Sequence, residues 1–305
     1  MAMIEIAVVG GGPAGLTAAL YAARAGRSVT VFEGNSFGGQ ITQSPLVENY
    51  PGLGNVSGME LGDRMYVQAE QAGATLSFSG VEAIQKSATG TFLLTTEDGI
   101  VESQAVIYAA GAAPRHLELP VEETLVGRGI SYCALCDGAF FANQDVAVAG
   151  GGNTALEDAL YLAQRCRSVT LIHRRNTFRA ESALVERAKA TGNLTIITQA
   201  QITALLAQDG NLTGLLLQKQ DGTVKTLAVS GLFVAFGRVP DTAPLSSLAA
   251  RDEQGYVLTD DQMQTLTPGL FAAGDCRHKQ IRQLTTAVSD GTVAAISACR
   301  YLGNR

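Results

Sequence analysis

Metal ligands are scarce in this sequence of 305 residues. It has three histidines, His116, His173 and His278, which are far apart, and only five cysteines. Cys133 and Cys136 have the spacing of half a structural zinc site. A complete site would need a second Cys-x-x-Cys or neighbouring histidines, and the sequence offers neither. We therefore expect no structural metal.

The cysteines are also too few, and odd in number, for a disulfide framework. Cys166, Cys276 and Cys299 are isolated in the sequence, and only Cys133 and Cys136 are spaced for local chemistry. A cytosolic chain of this length does not depend on disulfides for its stability. We interpret Cys276 as a small buried residue rather than a third redox thiol.

The sequence has few charged residues, and it lacks a long apolar run without interruption. Charged residues make up 16% and hydrophobic residues 46%, the balance of a globular enzyme rather than a disordered chain. The net charge of −6 argues against nucleic acid or an anionic membrane as the main partner. Residues 6–23 are uncharged, but Gly10-Gly11-Gly12-Pro13 interrupts them and no basic segment precedes them. We expect a strand, a turn and a helix there, no membrane span, and a cytoplasmic location.

The sequence contains one segment that is repeated. Residues 7–33 read AVVGGGPAGLTAALYAARAGRSVTVFE, and residues 147–173 read AVAGGGNTALEDALYLAQRCRSVTLIH, with 14 of 27 positions identical. Each copy has an apolar run, glycines, apolar residues at helical spacing and a second β-branched run. That order is a βαβ unit with its glycines between strand and helix. The chain is long enough for two such domains, so we predict an α/β fold.

The first copy has the features of a dinucleotide site. Its turn, Gly10-x-Gly12-x-x-Gly15, would let the backbone approach a pyrophosphate at a helix N-terminus. Glu33 ends the next strand, where an acid hydrogen-bonds an adenosine ribose. A tight turn without a ligand is the alternative, but the position of Glu33 favours a nucleotide.

The second copy differs from the first at the positions that determine which nucleotide binds. Ala155 replaces the third glycine, and the strand ends in His173-Arg174-Arg175, with Arg179 four residues later. A carboxylate would repel a 2′-phosphate, whereas guanidinium groups pair with it. A solvated basic loop is the alternative, but the position at the strand end favours NADP over NAD.

Between the copies lies a dithiol motif. A helix beginning near Cys133 would stabilise a thiolate, and the spacing to Cys136 lets one thiol attack a disulfide while the other resolves the mixed disulfide. Asp137 is the nearest candidate for moving protons, with a turn or capping acid as the alternative. Two dinucleotides and a dithiol suggest electron transfer from one nucleotide to the other and then to sulfur.

At these residues the chain resembles the bacterial low-molecular-weight thioredoxin reductases, over essentially its whole length. The resemblance implies a homodimer of Rossmann-like domains: an FAD domain of residues 1–114 and 243–305, and an inserted NADPH domain of residues 115–242 that carries the dithiol. It implies electron flow from NADPH through FAD and the dithiol to thioredoxin. It also implies that Cys136 faces the flavin and that Cys133 attacks the substrate.

The resemblance assigns binding residues as well. Asp275 would bind the ribityl chain, and Arg282 and Gln283 would lie near the isoalloxazine ring. The residues implied for FAD are Gly10, Gly12, Ala14, Gly15, Glu33, Gly39, Gln40, Asn49, Asp275, Arg282 and Gln283. The residues implied for NADPH are Gly150, Gly152, Asn153, Thr154, Ala155, His173, Arg174, Arg175 and Arg179. Leu135 between the thiols and the basic segment 277–281 depart from the family pattern and leave the exact partner open.

Other functions share this fold. Ferredoxin-dependent flavin thioredoxin reductases and flavin-dependent dithiol oxidases tend to lack the NADPH pattern that this chain has. Ferredoxin–NADP reductases of similar architecture lack the dithiol. A non-catalytic flavin redox sensor that signals through Cys133 and Cys136 is the alternative from another class.

Overall fold

The computed structural model describes residues 3–245 and 247–303. The chain forms two compact units: an outer unit, Met1–Ala113 with Val239–Arg305, and an inserted unit, Pro114–Arg238. These divisions lie beside the boundaries set from the sequence, at 114/115 and 242/243. The chain passes between the units through two short strands that pair with each other, Ala112–Pro114 and Arg238–Pro240.

A seven-stranded sheet forms the centre of the outer unit. Ile4–Val9 pairs in parallel with Val29–Phe32 and with Gly99–Tyr108. Its apolar residues Ile6 to Val9 are buried, as a central strand covered on both faces requires. Across the sheet the order is Thr75–Ser77, Val29–Phe32, Ile4–Val9, Gly99–Tyr108, Phe92–Thr96 and Val81–Lys86, and Leu270–Ala272 pairs with Gly99–Tyr108.

Helices of the outer unit hold the first glycine turn in place. Pro13 begins Pro13–Arg24, where the missing N–H of proline costs no helical hydrogen bond. The C-terminal helix Leu284–Gly303 packs closely on it, because a Cβ at Gly291 would lie 2.2 Å from the Ala14 carbonyl oxygen. The other helices are Gly58–Gln71 and the 3-10 helices Gly39–Gln43, Ala243–Leu245 and Gly274–Cys276.

The inserted unit contains a five-stranded parallel sheet and a three-stranded antiparallel sheet. The parallel order is Leu194–Thr198, Ser168–His173, Asp145–Gly150, Gly231–Ala235 and Ile130–Ser131. The antiparallel strands are Ala200–Gln208, Asn211–Lys219 and Val224–Ala228. Helices are Glu122–Leu125, Ala134–Asp137, Asn153–Ala163 and Ser182–Ala190, with the 3-10 helix Gly138–Phe141.

The α/β fold of two Rossmann-like units is therefore confirmed. In both units the glycines lie between the first strand of a parallel βαβ unit and its helix, as the repeated segment predicts. Residues 6–23 form strand, turn and helix within Ile4–Val9 and Pro13–Arg24. No helix in the described residues is both long and apolar enough to cross a bilayer.

Candidate functional site

The first glycine turn leaves backbone amides free to bind an anion. Gly10 follows the strand Ile4–Val9 with φ +103°, a conformation that favours glycine. A Cβ at Gly15 would lie only 1.9 Å from the Gly10 carbonyl oxygen. Gly12 begins the helix without a side-chain cap. The first amides of that helix therefore have no intrahelical or capping partner, which suits them to a pyrophosphate.

Glu33 is fixed beside this turn. Its Oε2 accepts a hydrogen bond from Gly11 N at 2.6 Å, and its Oε1 accepts one from Asn35 N at 2.8 Å. The carboxylate is half-buried at the end of Val29–Phe32. It lies where the sequence places an acid that contacts a ribose, and its acceptor geometry suits a hydroxyl group.

Gly39 and Gln40 are the first residues of the 3-10 helix Gly39–Gln43. A Cβ at Gly39 would approach the Gly12 Cα to 3.0 Å, so the 3-10 helix lies directly against the glycine turn. Gln40 Nε2 donates to the Ala112 carbonyl oxygen at 2.7 Å, which ties this segment to the short strand Ala112–Pro114.

The remaining residues predicted for FAD contact one another within the outer unit. Asn49 Nδ2 donates to Gln283 Oε1 at 3.3 Å. The Arg282 guanidinium stacks over the Tyr256 ring, 4.0 Å from its centroid, and its Nε lies 3.5 Å from the Asp275 carbonyl oxygen. The outer unit thus joins residues from four separate stretches of the chain.

Asp275 begins a buried charge network that the sequence did not reveal. Lys279 Nζ lies 3.3 Å from Asp275 Oδ1 and 3.0 Å from Asp290 Oδ2, and Arg277 Nη1 lies 3.2 Å from Asp290 Oδ1. Asp290 Oδ2 also accepts from Gly274 N at 3.1 Å, which fixes the turn that carries Asp275. The basic segment 277–281 therefore neutralises buried acids, and its unusual charge was the only signal in the sequence.

Asp275 keeps one acceptor atom available. Although Lys279 lies within ion-pair distance, Asp275 Oδ1 is buried and accepts no hydrogen bond in the described part of the chain. A buried polar atom without a hydrogen-bond partner is costly. The hydroxyl groups of a ribityl chain would supply that partner, so the residues present fit FAD.

The second glycine turn has the same plan. Gly152 begins the helix Asn153–Ala163 without a side-chain cap, so amides are again free at its start. Asn153 Oδ1 accepts from Glu181 N at 2.9 Å, and its Nδ2 donates to Glu181 Oε1 at 3.1 Å. Thr154 is exposed, whereas Ala155 is buried behind Gly150.

At the end of the following strand, a histidine ring replaces the acid. A Cβ at Gly151 would lie 2.1 Å from the His173 ring, and this ring stacks on Phe178 at a centroid distance of 4.9 Å. His173 Nε2 lies 3.0 Å from the Thr177 carbonyl oxygen. Arg179 N donates to the Gly151 carbonyl oxygen at 2.8 Å, which brings the basic loop back to the turn.

The cations of this loop are available to a ligand. Arg174, Arg175 and Arg179 are exposed, and none takes part in an ion pair within residues 3–245 and 247–303. Guanidinium groups pair with phosphate through parallel N–H donors. The inserted unit therefore fits the phosphate of NADPH.

The dithiol is oxidised and lies at the start of a single helical turn. Cys133 and Cys136 form a disulfide with a Cα–Cα distance of 5.3 Å. The helix predicted near Cys133 is confirmed, but it is short, Ala134–Asp137. Cys136 is exposed, and Leu135 between the cysteines is 57% exposed. The dithiol is thus flanked by an apolar side chain rather than a polar one.

Asp137 is held by a residue that the sequence did not single out. Its Oδ2 accepts from Ser131 Oγ at 2.6 Å, and Ser131 Oγ in turn accepts from Cys133 N at 3.0 Å. Burial raises the pKa of the Asp137 carboxyl, and the Ser131 hydrogen bond partly opposes that rise. The Asp137 side chain caps no helix. This favours a role in proton movement over the capping alternative.

The segment before the dithiol is anchored by a buried acid. Glu122, only 3% exposed, accepts hydrogen bonds from Leu117 N and Glu118 N at 2.9 Å each. It also accepts from Tyr132 Oη at 2.7 Å, while Tyr132 Oη lies 2.8 Å from His116 Nδ1. Burial raises the pKa of Tyr132. Sequence reasoning did not identify Glu122, because a single acid in this segment matches no motif.

The other cysteines belong to no such site. Cys276 is fully buried, and burial raises the pKa of its thiol to about 12. This confirms its interpretation as a small buried residue. Cys166 is buried and Cys299 is half-buried, and both are free thiols. In the described residues, no three His, Cys, Asp or Glu side chains cluster as metal ligands.

Known proteins are similar to this chain over nearly its whole length. Residues 4–291 match the family model described as pyridine nucleotide-disulphide oxidoreductase. The chain is 44% identical to the bifunctional thioredoxin reductase/thioredoxin of Mycobacterium leprae, covering 98% of this chain and 66% of that protein. It is 39% identical to a thioredoxin reductase of Listeria innocua, covering 98% of this chain and 93% of the relative.

A solved structure agrees with this similarity. The crystal structure of thioredoxin reductase from Streptococcus pyogenes superposes with a TM-score of 0.95 at 40% identity, covering 100% of this chain and 99% of the other. The match includes both nucleotide-binding units and the dithiol segment. The chain therefore belongs to the pyridine nucleotide-disulphide oxidoreductase family and, within it, to the thioredoxin reductases.

Proposed function

We propose that this protein is an NADPH-dependent thioredoxin-disulfide reductase. The observation that carries the proposal is the Cys133–Cys136 disulfide beside Asp137, in a chain that also has two glycine turns, one beside an acid and the other beside exposed arginines. The inserted unit, from residue 115 to 242 in our assignment, would bind NADPH and present the dithiol. The outer unit, residues 1–114 and 243–305, would bind FAD.

The outer unit would hold FAD through three kinds of contact. The free amides after Gly12 would bind the pyrophosphate, Glu33 the adenosine ribose, and Asp275 the ribityl chain. Gln40, Asn49, Arg282 and Gln283 would surround the ring. When bound, FAD would supply hydride acceptance from NADPH and two-electron reduction of the disulfide.

The inserted unit would hold NADPH through its own turn and basic loop. The amides after Gly152 would bind the pyrophosphate, and Arg174, Arg175 and Arg179 would bind the 2′-phosphate. His173 would stabilise this loop, because its ring packs against Gly151 in the glycine turn and against Phe178 in the loop. Asn153, the first residue of the helix, is held by its two hydrogen bonds to Glu181.

The dithiol would then reduce a protein disulfide in two exchanges. Two electrons and two protons convert the Cys133–Cys136 disulfide to two thiols. The Cys133 thiolate attacks a sulfur of thioredoxin and expels the other sulfur as a thiolate. The Cys136 thiolate then attacks Cys133, which re-forms the disulfide and releases reduced thioredoxin. Asp137 would accept and donate the protons of these steps, because its buried carboxyl has a raised pKa.

We also propose a homodimer with thioredoxin as its substrate, as the relatives' names and the family resemblance suggest. Light scattering on a size-exclusion column would test the first part. A mass of one chain at micromolar concentration would contradict it.

Cysteine substitutions test the proposed reaction. Cys133→Ser and Cys136→Ser should both keep bound FAD and lose NADPH-dependent thioredoxin reduction, because neither thiol completes the cycle alone. Cys299→Ser is the matched control, since it removes a thiol in the outer unit and should keep full activity. With Cys136→Ser, Cys133 should trap thioredoxin as a mixed disulfide when its resolving cysteine is also removed. Thioredoxin reduction by either active-site variant at the wild-type rate would contradict the proposed roles of the two cysteines, whereas no NADPH-dependent turnover by the wild-type protein would favour a flavin sensor.

A further inference from the structure

A basic pocket lies beside the loop assigned to NADPH. It has a volume of about 330 Å³, and three cationic side chains, Arg174, Arg175 and Lys219, line it. Its other lining residues are Gln199, Ala200, Gln201, Gln218 and Gln220. Sequence reasoning identified the two arginines but not Lys219, which comes from the end of a strand in the antiparallel sheet.

Backbone hydrogen bonds fix Lys219 next to the arginine loop. Gln199 N donates to the Arg175 carbonyl oxygen at 3.3 Å, and Gln220 N donates to the Gln199 carbonyl oxygen at 3.0 Å. Lys219 is paired with Ala200 in the antiparallel register. The Gln199 and Gln220 side chains also join, Nε2 to Oε1, at 3.0 Å. The end of the antiparallel sheet is therefore tied to the end of the nucleotide-binding strand.

The charges of the pocket favour a multivalent anion. No lining residue is acidic, and Lys219 and both arginines are free of ion pairs in the described part of the chain. Asp221 is close enough for its charge to act on Lys219, and its Oδ1 accepts from Thr223 N at 2.8 Å in the hairpin turn. The three cations of the pocket outnumber this one nearby acid, and a bound phosphate dianion would reduce the repulsion among them.

The pocket also lies where a nucleotide binds in this class of fold. Gly150, His173 and Thr198 end neighbouring parallel strands, so the glycine turn, the arginine loop and Gln199 share one edge of the sheet. Ligands of parallel sheets bind outside the carboxyl ends of the strands. The glutamine amides can donate to phosphate oxygens that the three cations leave unpaired.

We propose that Lys219 is a third cation of the nucleotide site and helps to select a 2′-phosphate, a terminal phosphomonoester dianion. This inference rests on the proposed NADPH function and deepens it. Lys219 would act by charge alone, because an ammonium group lacks the forked geometry of the arginines.

The test compares three variants of the full-length FAD-bound protein. Lys219→Gln removes the charge, Lys219→Glu reverses it, and Lys225→Gln is the control, because Lys225 is exposed on the neighbouring strand and does not line the pocket. Isothermal titration calorimetry with 2′,5′-ADP and with 5′-AMP measures the affinity with and without the 2′-phosphate. Lys219→Gln should weaken 2′,5′-ADP binding by about three- to five-fold, within the range of an exposed ion pair.

The other readouts separate a charge role from a structural one. Lys219→Glu should weaken 2′,5′-ADP binding further, while 5′-AMP binding, the KM for NADH and kcat should stay near wild type in both variants. Lys225→Gln should match wild type throughout. Unchanged 2′,5′-ADP binding in Lys219→Glu would overturn the inference, as would an equal loss for 5′-AMP. If Arg174→Ala/Arg175→Ala loses 2′-phosphate selectivity while Lys219→Glu keeps it, only this inference fails and the proposed function stands.

Discussion

The two glycine turns use the same scaffold to present opposite charges. Glu33 and His173 occupy equivalent positions in the repeated segment, as do Gly11 and Gly151. In the outer unit, Gly11 N donates to the Glu33 carboxylate. In the inserted unit, an imidazole ring covers Gly151, and the arginines that follow are exposed. In our proposal, the shared backbone arrangement determines where a dinucleotide binds, and the residues at the strand end determine which one.

The copies also differ in how closely helix and strand approach. A Cβ at Gly15 would clash with the Gly10 carbonyl oxygen at 1.9 Å, whereas the equivalent Ala155 is a buried core residue. Gly10 has a positive φ, and Gly150 is not among the residues that do. The outer turn is therefore the tighter of the two and tolerates less variation.

Exchanging the third residue of each turn should give the largest effect. Gly15→Ala should push the helix from the turn, cost about 1 to 3 kcal/mol of unfolding free energy, and prevent FAD from binding. Ala155→Gly should cost only about 1 kcal/mol, from lost helix propensity. Thermal unfolding and the FAD absorbance of the purified proteins measure both. Normal FAD content in Gly15→Ala would contradict the conclusion that the outer glycine turn is more tightly packed than the inserted one.

Removing the arginine pair should give the next largest effect. Arg174→Ala/Arg175→Ala should raise the KM for NADPH by about 10- to 100-fold, because charge-assisted hydrogen bonds to phosphate are lost. The KM for NADH should change little. Arg187→Ala, an exposed arginine elsewhere in the inserted unit, is the control. Steady-state kinetics with both nucleotides checks this, and retained preference for NADPH would show that other residues bind the 2′-phosphate.

Glu33→Gln should have a smaller effect, confined to the outer unit. The amide keeps one acceptor but loses the charge that binds Gly11 N and Asn35 N. FAD affinity should fall by about ten-fold, the usual size for one hydrogen bond to a charged group. Titration of the apoprotein with FAD measures it. An unchanged dissociation constant would mean that Glu33 only stabilises the turn.

The smallest effect concerns the dithiol, which only the inserted unit has. Ser131→Ala removes the hydrogen bond that lowers the pKa of Asp137, so this pKa should rise further. The apparent pKa that Asp137 contributes to the pH profile of kcat/KM for thioredoxin should therefore move to higher pH. Ser131→Thr keeps the hydroxyl and should restore the wild-type profile. A shift to lower pH in Ser131→Ala would contradict the assigned role.

Local patterns predicted much of the fold. The strand–turn–helix order predicted for residues 6–23 is present as Ile4–Val9 and Pro13–Arg24. The second copy of the repeat likewise forms Asp145–Gly150, Asn153–Ala163 and Ser168–His173. The sequence predicted where the helix after Cys133 begins but not how long it is. The length of a helix of one turn depends on tertiary packing rather than on the helix propensity of its residues.

The partners of the site residues could not be predicted in the same way. Ser131 binds Asp137 across a turn, and Asp290 joins Lys279 and Asp275 from a separate helix. Lys219 reaches the arginine loop only because two sheets meet there. Such contacts depend on tertiary structure, and no spacing in one sequence encodes them.

One crossed measurement tests the central claim that the repeated segments are separate sites for different nucleotides. FAD affinity and the ratio of NADPH to NADH efficiency are measured in wild type, Glu33→Gln and Arg174→Ala/Arg175→Ala. Glu33→Gln should change FAD affinity alone, and the arginine variant should change the NADPH to NADH ratio alone. If Glu33→Gln alters the nucleotide ratio while FAD affinity stays constant, or the arginine variant weakens FAD binding at an unchanged ratio, the assignment of the two sites is wrong.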